Sequence, residues 1–227
     1  MSAEQFCIGS SILEGWQDAV DQCVEKLGSQ PCPANLGFIY TTDNHVDALA
    51  EIVQRLKDKT GILHWVGTTG IGILHTGREE YERPSITVMA CYFPESSFRV
   101  FPSVQDDLED FDLQHRDWFG CNVQNFAVVH AAPETPDLQQ LIPDLSEKLN
   151  GGYLVGGLTS SHSRNLQVAD TIASGGLSGV LFSEKVSVCT GLTQGCSPIG
   201  PKRTITEVKG NVVVRIDERP ALEVFKE

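Results

Sequence analysis

The chain has 227 residues and carries 17 Lys+Arg against 30 Asp+Glu, a formal net charge of −13. Hydrophobic residues make up 41% and charged residues 21%, which excludes extensive disorder and allows one large domain or two small ones. Because the charge leaves no surplus of cations to contact phosphates, the composition argues against a nucleic-acid partner and a polybasic membrane anchor.

Cysteine usage and the first residues of the chain indicate the compartment. None of the seven cysteines forms a C-x-x-C pair, and most lie in apolar runs. The N-terminal segment lacks the basic and apolar regions of a signal peptide, and no run of about 18 apolar residues could span a membrane. We therefore predict a cytoplasmic protein with reduced thiols and no membrane insertion.

Helices and buried strands alternate in the first half of the chain. A helix is predicted to end at Gly28, a second apolar repeat (Leu49, Ile52, Val53 and Leu56) predicts another helix, and the apolar run Leu36–Tyr40 predicts a strand between them. The following predicted elements are a strand over Ile62–Val66, a glycine-rich turn over Gly67–Gly72, and strands over Ser85–Tyr92 and Phe98–Phe101.

The same order of elements recurs about 89 residues later, when Gly156 is aligned with Gly67. In this alignment, a predicted helix in which Pro143 causes a kink corresponds to the second helix of the first half. The remaining correspondences are Phe126–His130 with Leu36–Tyr40, Tyr153–Ser160 with His64–Gly70, Leu177–Ser183 with Ser85–Cys91, and Val186–Thr190 with the Phe98 strand. We predict one internally duplicated domain over residues 1–227, with pseudo-repeats at about 30–102 and 122–192.

Two further segments flank the second repeat. The acidic run Asp106–Asp112 lacks the register of a calcium loop, so a solvated connector is favoured over a cation site. Near the end, Thr204–Val208 and Val212–Ile216 predict a hairpin, and Arg219–Glu227 predicts the start of a helix. Because such a short helix is marginal alone, we expect the natural protein to continue.

The fold class that follows is α/β, with two β-α-β-β-β units and mainly antiparallel sheets. Each sheet would have one apolar face to bury, which favours an αββα sandwich with the helices outside. A single mixed sheet with helices on both faces remains the alternative.

Two glycine- and hydroxyl-rich segments that follow buried strands are the candidate ligand site. Glycine allows a ligand to approach the backbone, and hydroxyls can bond polar ligand atoms; the alternative role of these glycines is tight turns or close packing. The candidate residues are Gly67, Thr68, Thr69, Gly156, Gly157, Thr159, Ser160, His162 and Cys196. No metal site is predicted, and no nucleophile, base and orienting group can be assigned, so an enzyme is not the favoured class.

Several segments together resemble the N-terminal domain of the FIST family: Leu36–Tyr40 with its helix, Gly151–Ser160, Leu177–Phe182, Gly195–Gly200 and Asp217–Phe225. The resemblance covers the chain from about residue 10 onward. It departs from the family where Asp-Gly-x-Pro-Ala is expected, because the chain has Asp217-Glu-Arg-Pro-Ala221.

The resemblance implies a cytoplasmic sensory domain for signal transduction that binds a small molecule, with amino acids or their derivatives among the ligands. It also implies a following C-terminal FIST domain or a downstream signalling partner. The resemblance also makes haem a candidate cofactor, since some family members are haem-based gas sensors. The alternatives are a protein-interaction or adaptor module and, less favoured, a Cys-dependent hydrolase that uses Cys196.

Overall fold

The computed structural model describes residues 6–28, 34–121, 125–149, 151–193 and 195–226. Contacts along the chain divide it into two compact units, one that ends at Val188 and one that begins at Cys189. The interpretation of residues 1–227 as a single domain stays a prediction.

The first unit contains four α-helices and twelve strands among its described residues. The helices are α1 (Trp16–Leu27), α2 (Leu49–Thr60), α3 (Glu109–Cys121) and α4 (Leu138–Lys148), with a short 3₁₀ helix at Asp43–Ala48 before α2. The strands are β1 (Phe6–Ser11), β2 (Leu36–Thr42), β3 (His64–Gly70), β4 (Gly72–His75), β5 (Arg78–Tyr81), β6 (Ile86–Cys91), β7 (Phe98–Val104), β8 (Asn125–Ala131), β9 (Tyr153–Leu158), β10 (Leu166–Ala169), β11 (Thr171–Ser174) and β12 (Leu177–Ser183).

Two main sheets form from these strands. The larger sheet has the order β1-β6-β2-β3-β10-β11 and the smaller sheet the order β7-β12-β8-β9, while β4 and β5 form a separate hairpin. Within the described residues, the neighbours β2–β3 and β8–β9 are parallel and the other neighbouring pairs are antiparallel. The prediction of mainly antiparallel sheets is therefore confirmed.

Three apolar clusters show how the layers pack. One cluster joins α1 and α2 to the larger sheet, and a second joins α3 and α4 to the smaller sheet. The third contains residues of both sheets, including Leu36 and Val66 from the larger sheet and Val180 and Phe182 from the smaller one. This order of helices, sheet, sheet and helices is the predicted αββα sandwich.

The apolar spacing of α2 explains why this segment forms a helix on the sheet. Leu49, Ile52, Val53 and Leu56 are buried, as expected for side chains at i, i+3, i+4 and i+7 on one face. The helix ends at Gly61, whose φ of +72° lies in the left-handed region that glycine adopts without steric penalty. Such a stop directs the chain back toward β3.

The two halves repeat a specific backbone contact. Gly67 of β3 lies opposite Ile39 of β2, and Gly156 of β9 lies opposite Val129 of β8. A Cβ atom on Gly67 would lie 1.7 Å from the Ile39 carbonyl oxygen, and one on Gly156 would lie 1.8 Å from the Val129 oxygen. The repeat offset is therefore 89 residues for β3 and β9 but 90 for β2 and β8, which makes Tyr40 the equivalent of His130.

Several sequence-based predictions of local structure are wrong. Strand β3 runs on through Gly70, so the predicted turn at Gly67 begins only at Ile71. Val186–Thr190 forms no strand, and part of the acidic run, for which a connector is predicted, belongs to helix α3. The sheets also exchange strands between the halves, because β10 pairs with β3 and β7 pairs with β12.

The second unit contains a small antiparallel sheet and one short helix among its described residues. Strands β13 (Ile205–Lys209), β14 (Val212–Ile216) and β15 (Arg219–Pro220) pair in that order, which confirms the predicted hairpin. Helix α5 spans only Ala221–Phe225, so the helix predicted over Arg219–Glu227 begins later than expected. No helix in the described part of the chain is both long and apolar enough to cross a membrane.

Candidate ligand-binding site

A small cavity of about 170 Å³ lies in the first unit where strands from both halves end. Residues of β2, β3, β4 and β9 and of the segments next to them line it: Tyr40, Thr68, Thr69, Gly70, Ile71, Gly72, Ile73, Leu158, Thr159 and Ser160. The carboxyl ends of strands are a common position for ligands in α/β proteins. We therefore take this cavity as the candidate ligand site.

Backbone pairing holds the two halves together at the cavity. Gly70 at the end of β3 forms a parallel bridge with Ser160, which follows β9. The N–H of Ile71 donates a hydrogen bond of 2.6 Å to the carbonyl oxygen of Ser160. The cavity walls are thus fixed by contacts between segments about 90 residues apart in the chain.

The threonine hydroxyls form a connected network. Thr68 Oγ1 lies 2.7 Å from Thr159 Oγ1 and donates a 2.9 Å hydrogen bond to the carbonyl oxygen of Leu166. Thr69 Oγ1 donates to the carbonyl oxygen of Arg164 at 3.0 Å and accepts from the N–H of Leu166 at 3.2 Å. These bonds attach the 164–166 segment to the end of β3.

Tyr40 and His130, which occupy equivalent positions in the two halves, meet between the sheets. The Tyr40 Oη and His130 Nε2 atoms are 3.0 Å apart, and the ring centroids are 5.5 Å apart at 64°. Burial raises the pKa of Tyr40 to about 12 and lowers the pKa of His130 to about 4. Both side chains are therefore neutral at physiological pH.

Charged side chains lie beside the cavity rather than in its lining. The Ser161 hydroxyl donates to Asp43 Oδ1 at 2.5 Å, and the N–H of His162 donates to Asp43 Oδ2 at 2.7 Å. His162 Nε2 lies 3.6 Å from Glu82 Oε1, with both side chains more than half exposed. The N–H of Glu82 donates to the carbonyl oxygen of Ile71, which attaches this pair to the cavity wall.

Four of the nine residues predicted for the site line the cavity: Thr68, Thr69, Thr159 and Ser160. Gly67 and Gly156 lie inside strands against backbone, and Gly157 lies inside β9 with open space around its Cβ position. Cys196 is exposed and belongs to the second unit. The binding roles of all nine stay predictions.

Sequence reasoning misses Tyr40, Leu158 and the residues of the β3–β4 connection. Tyr40 is the last residue of an apolar run, which indicates a buried strand and nothing further. His130, its partner, lies in a similar run that is typical of a core histidine. Their equivalent positions in the repeat are the one signal that connects them.

Larger cavities lie elsewhere in the first unit. One of about 350 Å³ lies between β7 and α3 and includes Asp106, Asp107 and Asp110 in its lining. Another of about 520 Å³ includes His64, whose Nδ1 lies 2.7 Å from Asp170 Oδ2. Among the described residues, no group of three or more His, Cys, Asp and Glu side chains is arranged to hold a metal ion.

The fold and the cavity define a class of protein: an internally duplicated αββα sandwich whose halves both contribute to a small cavity lined in part by hydroxyl-bearing residues. The model of the FIST N domain matches residues 35–219, and the chain belongs to this family of sensory and signal-transduction domains. The resemblance seen in the sequence is thereby confirmed. A search of curated proteins found no significant match.

Proposed function

We propose that this chain is a cytoplasmic sensory domain that binds a small molecule in the cavity between Tyr40, Thr68 and Thr159. The observation that carries the proposal is the convergence of both halves on one hydroxyl-lined cavity. The cavity of about 170 Å³ lies below the usual range for drug-sized ligands, so its volume suits a molecule of the size of a small amino acid, an amino-acid derivative or a similar metabolite.

Ligand binding would be converted into a signal through the contacts between the halves. A ligand in the cavity would touch β3 of the first half and β9 of the second, so it would add contacts across the Gly70–Ser160 bridge. A following C-terminal FIST domain or a downstream signalling partner would detect this change. Such coupling requires a difference in ligand affinity between two states of the domain.

The test is a screen of amino acids and their derivatives against the whole chain. Binding is detected by thermal unfolding and by NMR. Ligands that bind only the native state raise the unfolding temperature. We expect Thr159→Val to reduce the shift while the protein stays folded, and Thr171→Val, at an exposed position on β11, to keep it. A shift that is equal in both variants would refute this site.

A haem-based sensor is a second candidate because of His64. Its contact with Asp170 is the type of hydrogen bond that orients a metal-ligating histidine, and its cavity of about 520 Å³ also contains Arg99, a partner for propionate groups. Haem titration monitored by absorbance tests this candidate. We expect a Soret band that is lost in His64→Ala and kept in His75→Ala; its absence from the wild-type protein would refute it.

The adaptor and hydrolase hypotheses make different predictions for the same variants. A hydrolase that uses Cys196 would lose turnover of model esters in Cys196→Ala, whereas a sensor whose ligand lies in the cavity, which Cys196 does not line, would keep ligand binding in that variant. An adaptor would retain partner binding in Thr159→Val. These measurements separate the three classes whatever the chemical identity of the ligand.

A further inference from the structure

We propose that the cavity at Tyr40 and Thr159 selects a small uncharged amide, with its carbonyl oxygen on the Tyr40 hydroxyl and its N–H groups on the threonine oxygens. This inference rests on the proposed function, since it specifies the ligand of the same cavity. It is argued from three observations: the hydrogen-bond partners of the threonine hydroxyls, the buried Nδ1 atom of His130 that has no partner among the described residues, and the absence of charge from the described residues that line the cavity.

The threonine hydroxyl protons are already used within the protein. Thr68 donates to the carbonyl oxygen of Leu166, so the short Thr68–Thr159 contact requires that Thr159 donate to Thr68. Thr69 donates to the carbonyl oxygen of Arg164. Each hydroxyl has one proton and two lone pairs. The Thr159 oxygen therefore presents lone pairs only, and it requires a donor from the ligand.

The surroundings of His130 favour one direction for the Tyr40 proton. The Nδ1 atom of His130 is buried and has no hydrogen-bond partner among the described residues. If Tyr40 donated to Nε2, the proton of the neutral ring would be on Nδ1 as an unpaired buried N–H, which native structures rarely tolerate. The alternative places the proton on Nε2, where it is donated to Tyr40 Oη. The hydroxyl proton of Tyr40 is then free for an acceptor in the cavity.

The charge of the lining excludes a strongly charged ligand from the interior. The described residues that line the cavity are hydroxyl-bearing, aliphatic or glycine, and burial keeps the Tyr40 phenol neutral. An ion moved from water into such an environment loses hydration without gaining an opposite charge. The flanking Glu82 and His162 side chains pair with each other in solvent. A primary amide carries the required acceptor and donors without a formal charge.

The protonation of His130 is measured first, by ¹⁵N NMR of the imidazole nitrogens in the whole chain without ligand. We expect the pattern of a neutral ring with its proton on Nε2. A proton on Nδ1 would refute the inference, because Tyr40 would then donate to His130 and have no proton for a ligand. This measurement is independent of which ligand the cavity binds.

Binding is then measured by NMR titration with acetamide, acetate, glycine and acetone. Acetamide is expected to bind more tightly than acetate, glycine or acetone, with chemical-shift changes centred on Thr68 and Thr159. Tyr40→Phe and Thr159→Val should each weaken acetamide binding roughly three- to tenfold, the usual effect of one hydrogen bond. Tyr81→Phe and Thr171→Val, at exposed positions, are the matched controls and should bind as the wild type does.

The outcomes distinguish this inference from the proposed function. If glycine or acetate binds in the cavity as tightly as acetamide, the selectivity for amides is refuted while the sensory site stands. If neither these probes nor the amino-acid screen gives binding that responds to Thr159→Val, the proposed site itself fails. Equal effects of Tyr40→Phe and Tyr81→Phe would refute the role of the Tyr40 hydroxyl.

Discussion

At the scale of single residues, Gly67 and Gly156 mark where two strands approach too closely for any side chain. A Cβ atom at either position would overlap a backbone carbonyl oxygen of the neighbouring strand. We expect Gly67→Ala to lower the free energy of unfolding by about 3 kcal/mol or more, because a backbone atom cannot move aside as a side chain can. Gly156→Ala should have a similar effect in the second half.

Gly157→Ala is the matched control, since its Cβ would meet no atom within 4 Å. Urea denaturation of the three variants, at unchanged m-value, measures the difference. Similar stabilities for Gly67→Ala and Gly157→Ala would contradict the packing role assigned to Gly67. The result would also separate that role from the ligand contact predicted for the same glycine.

His130 should make stability depend on pH. Burial lowers its pKa to about 4, whereas an unfolded chain has a histidine pKa of about 6.5. As pH falls from about 6.5 to about 4, the unfolded state binds a proton that the folded state does not, so stability decreases. The loss attributable to His130 between pH 7 and pH 5 is expected to be about 2 kcal/mol.

His130→Gln, which keeps a polar side chain beside Tyr40 but cannot titrate, should remove this part of the pH dependence. Chemical denaturation at pH 7 and pH 5 gives the comparison. The buried His115, whose pKa burial also lowers to about 4, contributes equally to both proteins and cancels in the difference. Identical pH dependence in the two proteins would show that His130 is already charged or exposed.

The sequence reveals part of the candidate site. Thr68, Thr69, Thr159 and Ser160 are predictable because hydroxyl residues beside glycine at strand ends are a local signal. The pairing of Tyr40 with His130 is not, because it depends on two strands 90 residues apart facing each other across the sandwich. Nothing in the sequence of either strand indicates which residue of the other strand it contacts.

At the scale of elements, Asp170 fixes the β10–β11 connection to β3. Its carboxylate accepts from the N–H of Trp65 at 2.9 Å and lies 2.7 Å from His64 Nδ1, and its backbone has a φ of +61°. We expect Asp170→Ala to lower the free energy of unfolding by about 1–3 kcal/mol, because it leaves a donor unpaired. Alanine also tolerates the left-handed backbone less well than aspartate does.

The comparison for Asp170 uses two further variants. Asp170→Asn keeps an acceptor and tolerates positive φ, so its stability should lie between those of Asp170→Ala and the wild type. Asp58→Ala removes an exposed carboxylate that accepts from Gln54, and should change stability by about 0.5 kcal/mol or less. Thermal unfolding ranks the stabilities of these variants. If the Asp170→Ala protein is as stable as the Asp58→Ala protein, Asp170 does not fix the β10–β11 connection to β3.

Elements with a clear apolar period are predictable, and those whose burial depends on distant partners are not. Strands β2, β8 and β12 each contain a short apolar run, and all three are predicted close to their observed bounds. Helix α3 escapes prediction because its acidic start suggests a connector, although Leu108, Phe111 and Trp118 are buried at helical spacing. The polar strand β5 lacks a two-residue apolar period and escapes prediction as well.

At the scale of the whole first unit, the sequence repeat and the sheets do not divide the chain at the same places. Strands β10 and β11 come from the second repeat but extend the larger sheet, and β7 comes from the first repeat but pairs in the smaller sheet. Each repeat therefore supplies strands to the sheet of the other. This exchange is not predictable from element order, since the order is the same with or without it.

Because of this exchange, neither half should fold alone. Residues 1–121, expressed separately, would lack β10 on the edge of β3 and would expose Leu36 and Val66, which pack against the smaller sheet. Apolar side chains that stay exposed to water contribute nothing to the hydrophobic driving force for folding. We expect neither this fragment nor residues 125–227 to show a cooperative unfolding transition in near-UV circular dichroism. An equimolar mixture of the two fragments is expected to show such a transition. A cooperative transition in residues 1–121 alone would show that the halves are independent folding units.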